Sequence, residues 1–88
     1  MPAFRYLARG RVQGVGFRYF ALKVAEELRV TGFVRNLPDG SVEVVAEAAE
    51  SVLAQFEEKL RNGPSFGRVE HLDRLPIEER GDTGFQIR

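Results

Sequence analysis

The chain has 88 residues, 43% of them hydrophobic and 30% charged, with no cysteine and a formal net charge of +0. That length supports one core and a single domain, 1–88; missing cysteine excludes disulfides, thiolate nucleophiles and cysteine-bound metals. Balanced charge argues against bulk nucleic-acid affinity, and no stretch reads as a membrane span or an export signal, so a cytoplasmic protein is expected.

Ala3 to Arg9 alternates and carries Phe4 and Tyr6, which predicts strand one. Residues 10 to 16 form a glycine-rich loop. From Phe17 the apolar positions Phe17, Phe20, Ala21, Val24 and Leu28 make a helical stripe, with Lys23, Glu26 and Glu27 on the opposite side, so helix one ends near Arg29. Val30 to Asn36 is strand two. Leu37-Pro38-Asp39-Gly40 is a tight turn, with Pro presetting φ and Gly supplying a positive one. Ser41 to Ala48 is strand three, with Val42, Val44, Ala46 and Ala48 facing in and Ser41, Glu43 and Glu47 facing out. Strands two and three pair as a hairpin. Helix two runs from Ala49 to Arg61, buries Val52, Leu53, Phe56 and Leu60, and stops at Asn62-Gly63-Pro64. Val69 to Leu75 is strand four, 76 to 83 a polar loop, and Gly84 to Arg88 a short last strand that turns Phe85 and Ile87 to the core.

The order βαββαβ plus a short C-terminal strand predicts an α+β, ferredoxin-like split βαβ sandwich. An antiparallel sheet carries two helices on one face. This topology brings the loop after strand one close to strand two.

Gly10-Arg11-Val12-Gln13-Gly14-Val15-Gly16-Phe17-Arg18 holds the chemistry. Glycines let successive N–H groups turn toward one point, and a helix N-terminus opens right behind them. Arg18 in the first turn adds a planar fork of donors. The segment reads as a pocket for a phosphate or a carboxylate. It is not a Walker loop, since Gly-Lys-Ser/Thr is missing, nor a dinucleotide fingerprint, since Tyr19 stands where a third glycine belongs. Charge is skewed along the chain. Arg5, Arg9, Arg11, Arg18 and Lys23 lie in residues 1 to 25 without an acid, and six acids from Asp39 to Glu58 without a base. Such a basic end draws in a small anion. Asn36 ends strand two; alone it reads as a turn residue, although an amide there can both donate to and accept from a water. His71 is the only histidine and the acids form no ligand-spaced cluster, so neither metal nor cofactor is expected.

Taken together, G-x-V-Q-G-V-x-F-R at Gly10 to Arg18 and G-F-V-R-N-x-x-x-G-x-V at Gly32 to Val42 closely resemble the acylphosphatase family, over essentially the whole chain. Ala8, where a larger aliphatic residue is usual, and Ala48, where a glycine often stands, depart from the pattern. The resemblance implies an acylphosphate phosphohydrolase, a hydrolase that cleaves acyl phosphates without metal. It further implies that Arg18 binds the phosphate, that Asn36 positions the attacking water, and that the main-chain amides of Gln13, Gly14, Val15, Gly16, Phe17 and Arg18 cradle the phosphate oxygens. The partners implied are a small acyl phosphate and inorganic phosphate as product and inhibitor, with no nucleic acid and no membrane, acting on a monomer.

Two rival readings of the sequence stand beside this one. Gln13 to Phe20 partly mimics the RNP1 string of RNA-binding domains, but it precedes helix one, whereas RNP1 lies on strand three, which here carries Glu43 and Glu47. The other rival is a non-catalytic accessory module, because acylphosphatase-like domains also occur inside larger proteins, including a hydrogenase-maturation factor that handles carbamoyl phosphate. A chain that starts with Met1 and ends soon after its last strand is expected to stand alone.

Overall fold

A computed structural model describes residues 1–88. The elements run β1 (Ala3–Arg11), α1 (Phe17–Leu28), β2 (Thr31–Asn36), β3 (Val42–Glu47), α2 (Glu50–Asn62), β4 (Arg68–Ile77) and β5 (Phe85–Ile87). They form one five-stranded sheet in the order β4-β1-β3-β2-β5. β1 pairs antiparallel with β3 and β4, and β2 antiparallel with β3. This is the expected split βαβ sandwich, with one correction. β5 joins β2 in parallel, Gly32 opposite Phe85, so the complete sheet is mixed. Both strands run in the same direction because three elements, β3, α2 and β4, intervene between them and reverse the chain in turn.

Alternation on β1 turns Tyr6 and Ala8 toward the helices, where they meet Val42, Val44 and Ala46 of β3. Phe17, Ala21, Val24 and Ala25 of α1 and Leu53, Phe56 and Leu60 of α2 close the layer. Ala8 and Ala48, the two departures from the family pattern, are both buried in this core. Tyr6 places its ring edge-on to Phe56 and donates its hydroxyl to Glu57 at 2.9 Å, so its one polar atom is satisfied. Gly32 at the start of β2 has φ 140°, and a Cβ there would sit 1.9 Å from the Val45 carbonyl oxygen. No other residue fits between the two strands.

Three expectations change. β1 runs two residues past Arg9, because β4 follows it through a bulge at Arg9/Gly10 down to the Arg11–Arg68 pair. β4 likewise extends over Pro76 to Ile77, which an edge strand tolerates because one side of it needs no N–H donor. Glu43 and Glu47 do lie on the face away from the helices, but they are only 4% and 6% exposed. Arg5 and Arg35 cover Glu43, and Glu47 accepts the main-chain N–H groups of Arg80 at 2.9 Å and Gly81 at 2.8 Å. The segment after β4 is thus strapped across the open face. No helix is long and apolar enough to cross a membrane.

Candidate active site

Between β1 and α1 the chain turns through Gly14 at φ 74° and Gly16 at φ 80°. A Cβ at either position would touch nothing, so the requirement is conformational. Gly16 is the N-cap of α1, which has no side-chain cap and no acid in its first turn. Of the 12 main-chain hydrogen bonds outside helices and strands, none has its donor between residues 13 and 19. The loop and first helical turn therefore present a row of unspent N–H groups, with the positive end of the helix dipole behind them.

Part of this stretch borders a hollow of about 200 Å³ lined by Val12, Gly14, Gly16, Phe17, Arg18, Tyr19, Asn36 and Ile87. Arg18 is its only cationic lining residue, and no acid lines it. No Asp or Glu side chain pairs with the guanidinium; its Nη1 donates to the Arg88 main-chain oxygen at 3.4 Å. Asn36, at the end of β2, enters the same hollow. Of the residues the sequence singled out, Arg18, Asn36, Gly14, Gly16 and Phe17 meet here. Gln13 and Val15 do not line the hollow.

Gln13 turns the other way. Its Nε2 donates to the Leu37 oxygen at 2.8 Å and to the Ser41 oxygen at 2.9 Å, at the two ends of the β2–β3 turn. The loop is thereby tied to the hairpin that carries Asn36. Asp39 tightens the same turn by accepting from Ser41 Oγ at 2.6 Å and Ser41 N–H at 2.9 Å. The Ser41 hydroxyl, then its N–H, hold the Asp39 carboxyl below its usual range. Val15 packs on the turn after α2, where a Cβ on Gly67 would come within 3.1 Å of its side chain.

Sequence reasoning missed four contributors. Val12, Tyr19 and Ile87 line the hollow, and Gln13 braces it with its side chain rather than its amide alone. Ile87, expected in the core, is 41% exposed at the hollow's rim. The spacing of Gly16 and Tyr19, three apart on one helix, could have flagged Tyr19. Nothing local marks Ile87, which arrives through the parallel pairing of β5. The basic surplus of the first 25 residues also shrinks: Arg5 pairs with Glu43 and Arg9 with Asp73 at 2.5 Å. His71 is exposed on β4, opposite Arg9, away from the hollow. No three His, Asp or Glu side chains gather as a metal cradle.

The acylphosphatase family profile matches residues 4–87. The chain belongs to the acylphosphatase family. It is 48% identical to an acylphosphatase of Thermus thermophilus, over 99% of both chains. The crystal structure of the Bacillus subtilis acylphosphatase superposes with a TM-score of 0.97 at 38% identity, covering 100% of this chain and 99% of that one. An acylphosphatase structure from Coxiella burnetii gives 0.94 at 34% identity, over 99% and 92%. The reaction is hydrolysis of acyl phosphates to a carboxylate and inorganic phosphate.

Proposed function

We propose that the phosphoryl group of the substrate sits in the hollow, on the free amides of residues 13 to 18 and the Arg18 guanidinium, while Asn36 orients the water that attacks phosphorus. The observation that carries this reading is the meeting of three things in one place: donors without acceptors, a guanidinium that no Asp or Glu neutralises, and a neutral amide. A tetrahedral dianion satisfies the first two together.

The chemistry follows from the leaving group. Water oxygen bonds to phosphorus as the P–O bond to the acyl group breaks, and the electron pair leaves on a carboxylate. That carboxylate is stable as an anion at neutral pH, so no general acid has to protonate it. Phosphoryl transfer proceeds through a loose state with charge on the equatorial oxygens, where amides and a guanidinium act directly. The proton of the attacking water passes to a phosphate oxygen of the substrate, so the absence of a carboxylate lining the hollow is no obstacle. Asn36, able to accept from and donate to the water, contributes alignment. On this reading the reaction runs without added metal, in the cytoplasm, on a monomer, with inorganic phosphate as a competitive product.

The test uses benzoyl phosphate with phosphate competition. Arg18→Ala loses turnover and phosphate inhibition together. Arg18→Lys fails as well, because a point charge cannot make a bidentate fork. Asn36→Ala lowers kcat by roughly 10²–10³ while phosphate still binds. Normal turnover in Asn36→Ala removes the water-orienting role, and unchanged phosphate inhibition in Arg18→Ala removes the cradle.

A further inference from the structure

Beside the hollow lies a second open groove, of about 340 Å³, lined by Gly16, Tyr19, Phe20, Lys23, Pro64 and Ser65 among others. It shares Gly16 and Tyr19 with the hollow, so the two spaces adjoin at these residues. Tyr19 is 62% exposed, so its ring is open to a ligand. Gly16, Phe20 and Lys23 follow one another at steps of four and three, and Tyr19 stands four before Lys23. The groove therefore runs up one face of α1, away from the helix N-terminus.

The far end is cationic. Lys23 is exposed and belongs to none of the protein's ion pairs, and no carboxylate lines the groove. Seven residues of helix put its Cα about 10 Å beyond Gly16 along the axis. Helical side chains lean toward the N-terminus, so the ammonium can reach back over Tyr19. A phosphoryl group held at Gly16 sends its acyl substituent in one of two directions, out to solvent or along this groove. Along the groove it meets the apolar surfaces of Tyr19, Phe20 and Pro64, and the cation beyond them.

We infer that the groove holds the acyl group of the substrate, and that Lys23 selects acyl phosphates carrying a second carboxylate at the far end, the monophosphates of dicarboxylic acids. This rests on the proposed seating of the phosphoryl group. Length agrees with it. In an extended five-carbon diacid monophosphate the distal carboxyl carbon lies roughly 8 Å from phosphorus, summing ordinary bond lengths. That falls within the span from Gly16 to the lysine. A monocarboxylic acyl group of the same length fills the apolar wall and leaves the ammonium unpaired.

The experiment compares glutaryl phosphate with pentanoyl phosphate, its uncharged counterpart of equal carbon number, in the parent protein, Lys23→Ala and Lys23→Glu. The quantity read is the ratio of kcat/KM for the diacid over the monoacid, with the phosphate inhibition constant measured alongside. An exposed ion pair is modest, so the ratio falls roughly threefold in Lys23→Ala and, with attraction turned to repulsion, roughly tenfold in Lys23→Glu. The parent ratio also falls toward the Lys23→Ala value as salt is raised. A ratio that does not change in either variant overturns the assignment of the acyl site, and leaves the phosphate cradle standing if phosphate inhibition is intact. Failure of the parent protein to hydrolyse either compound overturns both.

Discussion

Gln13 is the residue on which the geometry of the hollow turns. Replacing it with Met keeps the side-chain volume and removes both donors. The two oxygens it serves are not orphaned by this. Leu37 O still accepts from the Gly40 N–H at 3.2 Å, and Ser41 O from the Leu37 N–H at 2.9 Å. The loss is therefore the net worth of two ordinary hydrogen bonds, about 2 kcal/mol, and not the larger penalty of stranded carbonyls. In a domain of this size it lowers Tm by about 10 °C. Gln13→Glu costs more, because a carboxylate cannot donate and brings negative charge against two carbonyl oxygens. Function suffers for a separate reason. With the brace gone, the loop and the end of β2 no longer move as one body, and a misplacement of about 1 Å between reacting groups lowers turnover about 10²-fold. Thermal unfolding followed by circular dichroism, with kcat on benzoyl phosphate, measures both. Refutation would be a Gln13→Met protein with parental Tm and parental kcat, or a Gln13→Glu protein as stable as Gln13→Met.

Gly67→Ala builds a Cβ 3.0 Å from Pro64 Cγ and 3.1 Å from both the Arg11 oxygen and Val15 Cγ2. The glycine loop has to yield, so on the proposed reading weaker phosphate inhibition is expected together with about 1–3 kcal/mol lost in urea unfolding. Glu43 supplies an acid-dependent share of stability. Burial pushes its carboxyl upward, but the hydrogen bonds from Arg5 and Arg35, with their charges, outweigh burial and hold it below the usual carboxylate range. The unfolded chain thus takes up that proton first, so this stability is fully present above the ordinary carboxylate pKa and is lost as pH falls through the depressed folded value. Glu43→Gln flattens that limb of a Tm-against-pH curve below about pH 4.5, and an unchanged limb would assign the acid sensitivity elsewhere.

Element order and the pairing of β2 with β3 were legible because they rest on local signals: alternation, a helical stripe, and Pro-Asp-Gly at the turn. The two glycines and Arg18 stand out as a candidate anion pocket for the same reason, since loop, helix start and cation are contiguous. What escaped depends on pairings distant in sequence. The length of β1 is set by β4, some sixty residues on, through the Arg11–Arg68 pair. Glu43 reads as a solvated strand residue until Arg5 and Arg35 are brought in from the flanking strands on either side. Ile87 follows core alternation in sequence, but its strand is three residues long and ends beside the hollow. Gln13 was read through its main chain because a glycine loop draws attention to amides. Its side-chain targets lie 24 and 28 residues away, across a turn whose spatial position no local pattern gives.

The make-up of the hollow also accounts for which phosphates it can cleave. Its lining contains one guanidinium, one carboxamide, one exposed phenol and apolar groups, and no histidine, aspartate or glutamate. Such a site, on the proposed reading, can stabilise charge gathering on phosphoryl oxygens but cannot hand a proton to a departing oxygen. A carboxylate leaves without one. An alkoxide does not, because it needs protonation as the bond breaks, and general acid assistance of that kind is typically worth 10²–10⁴-fold. Selectivity for acyl phosphates over ordinary phosphate esters then needs no contact with the acyl group. On the same proposed reading the groove beyond Tyr19 is left to distinguish one acyl phosphate from another, and the phosphate cradle decides only that the bond broken is to a leaving group already content as an anion.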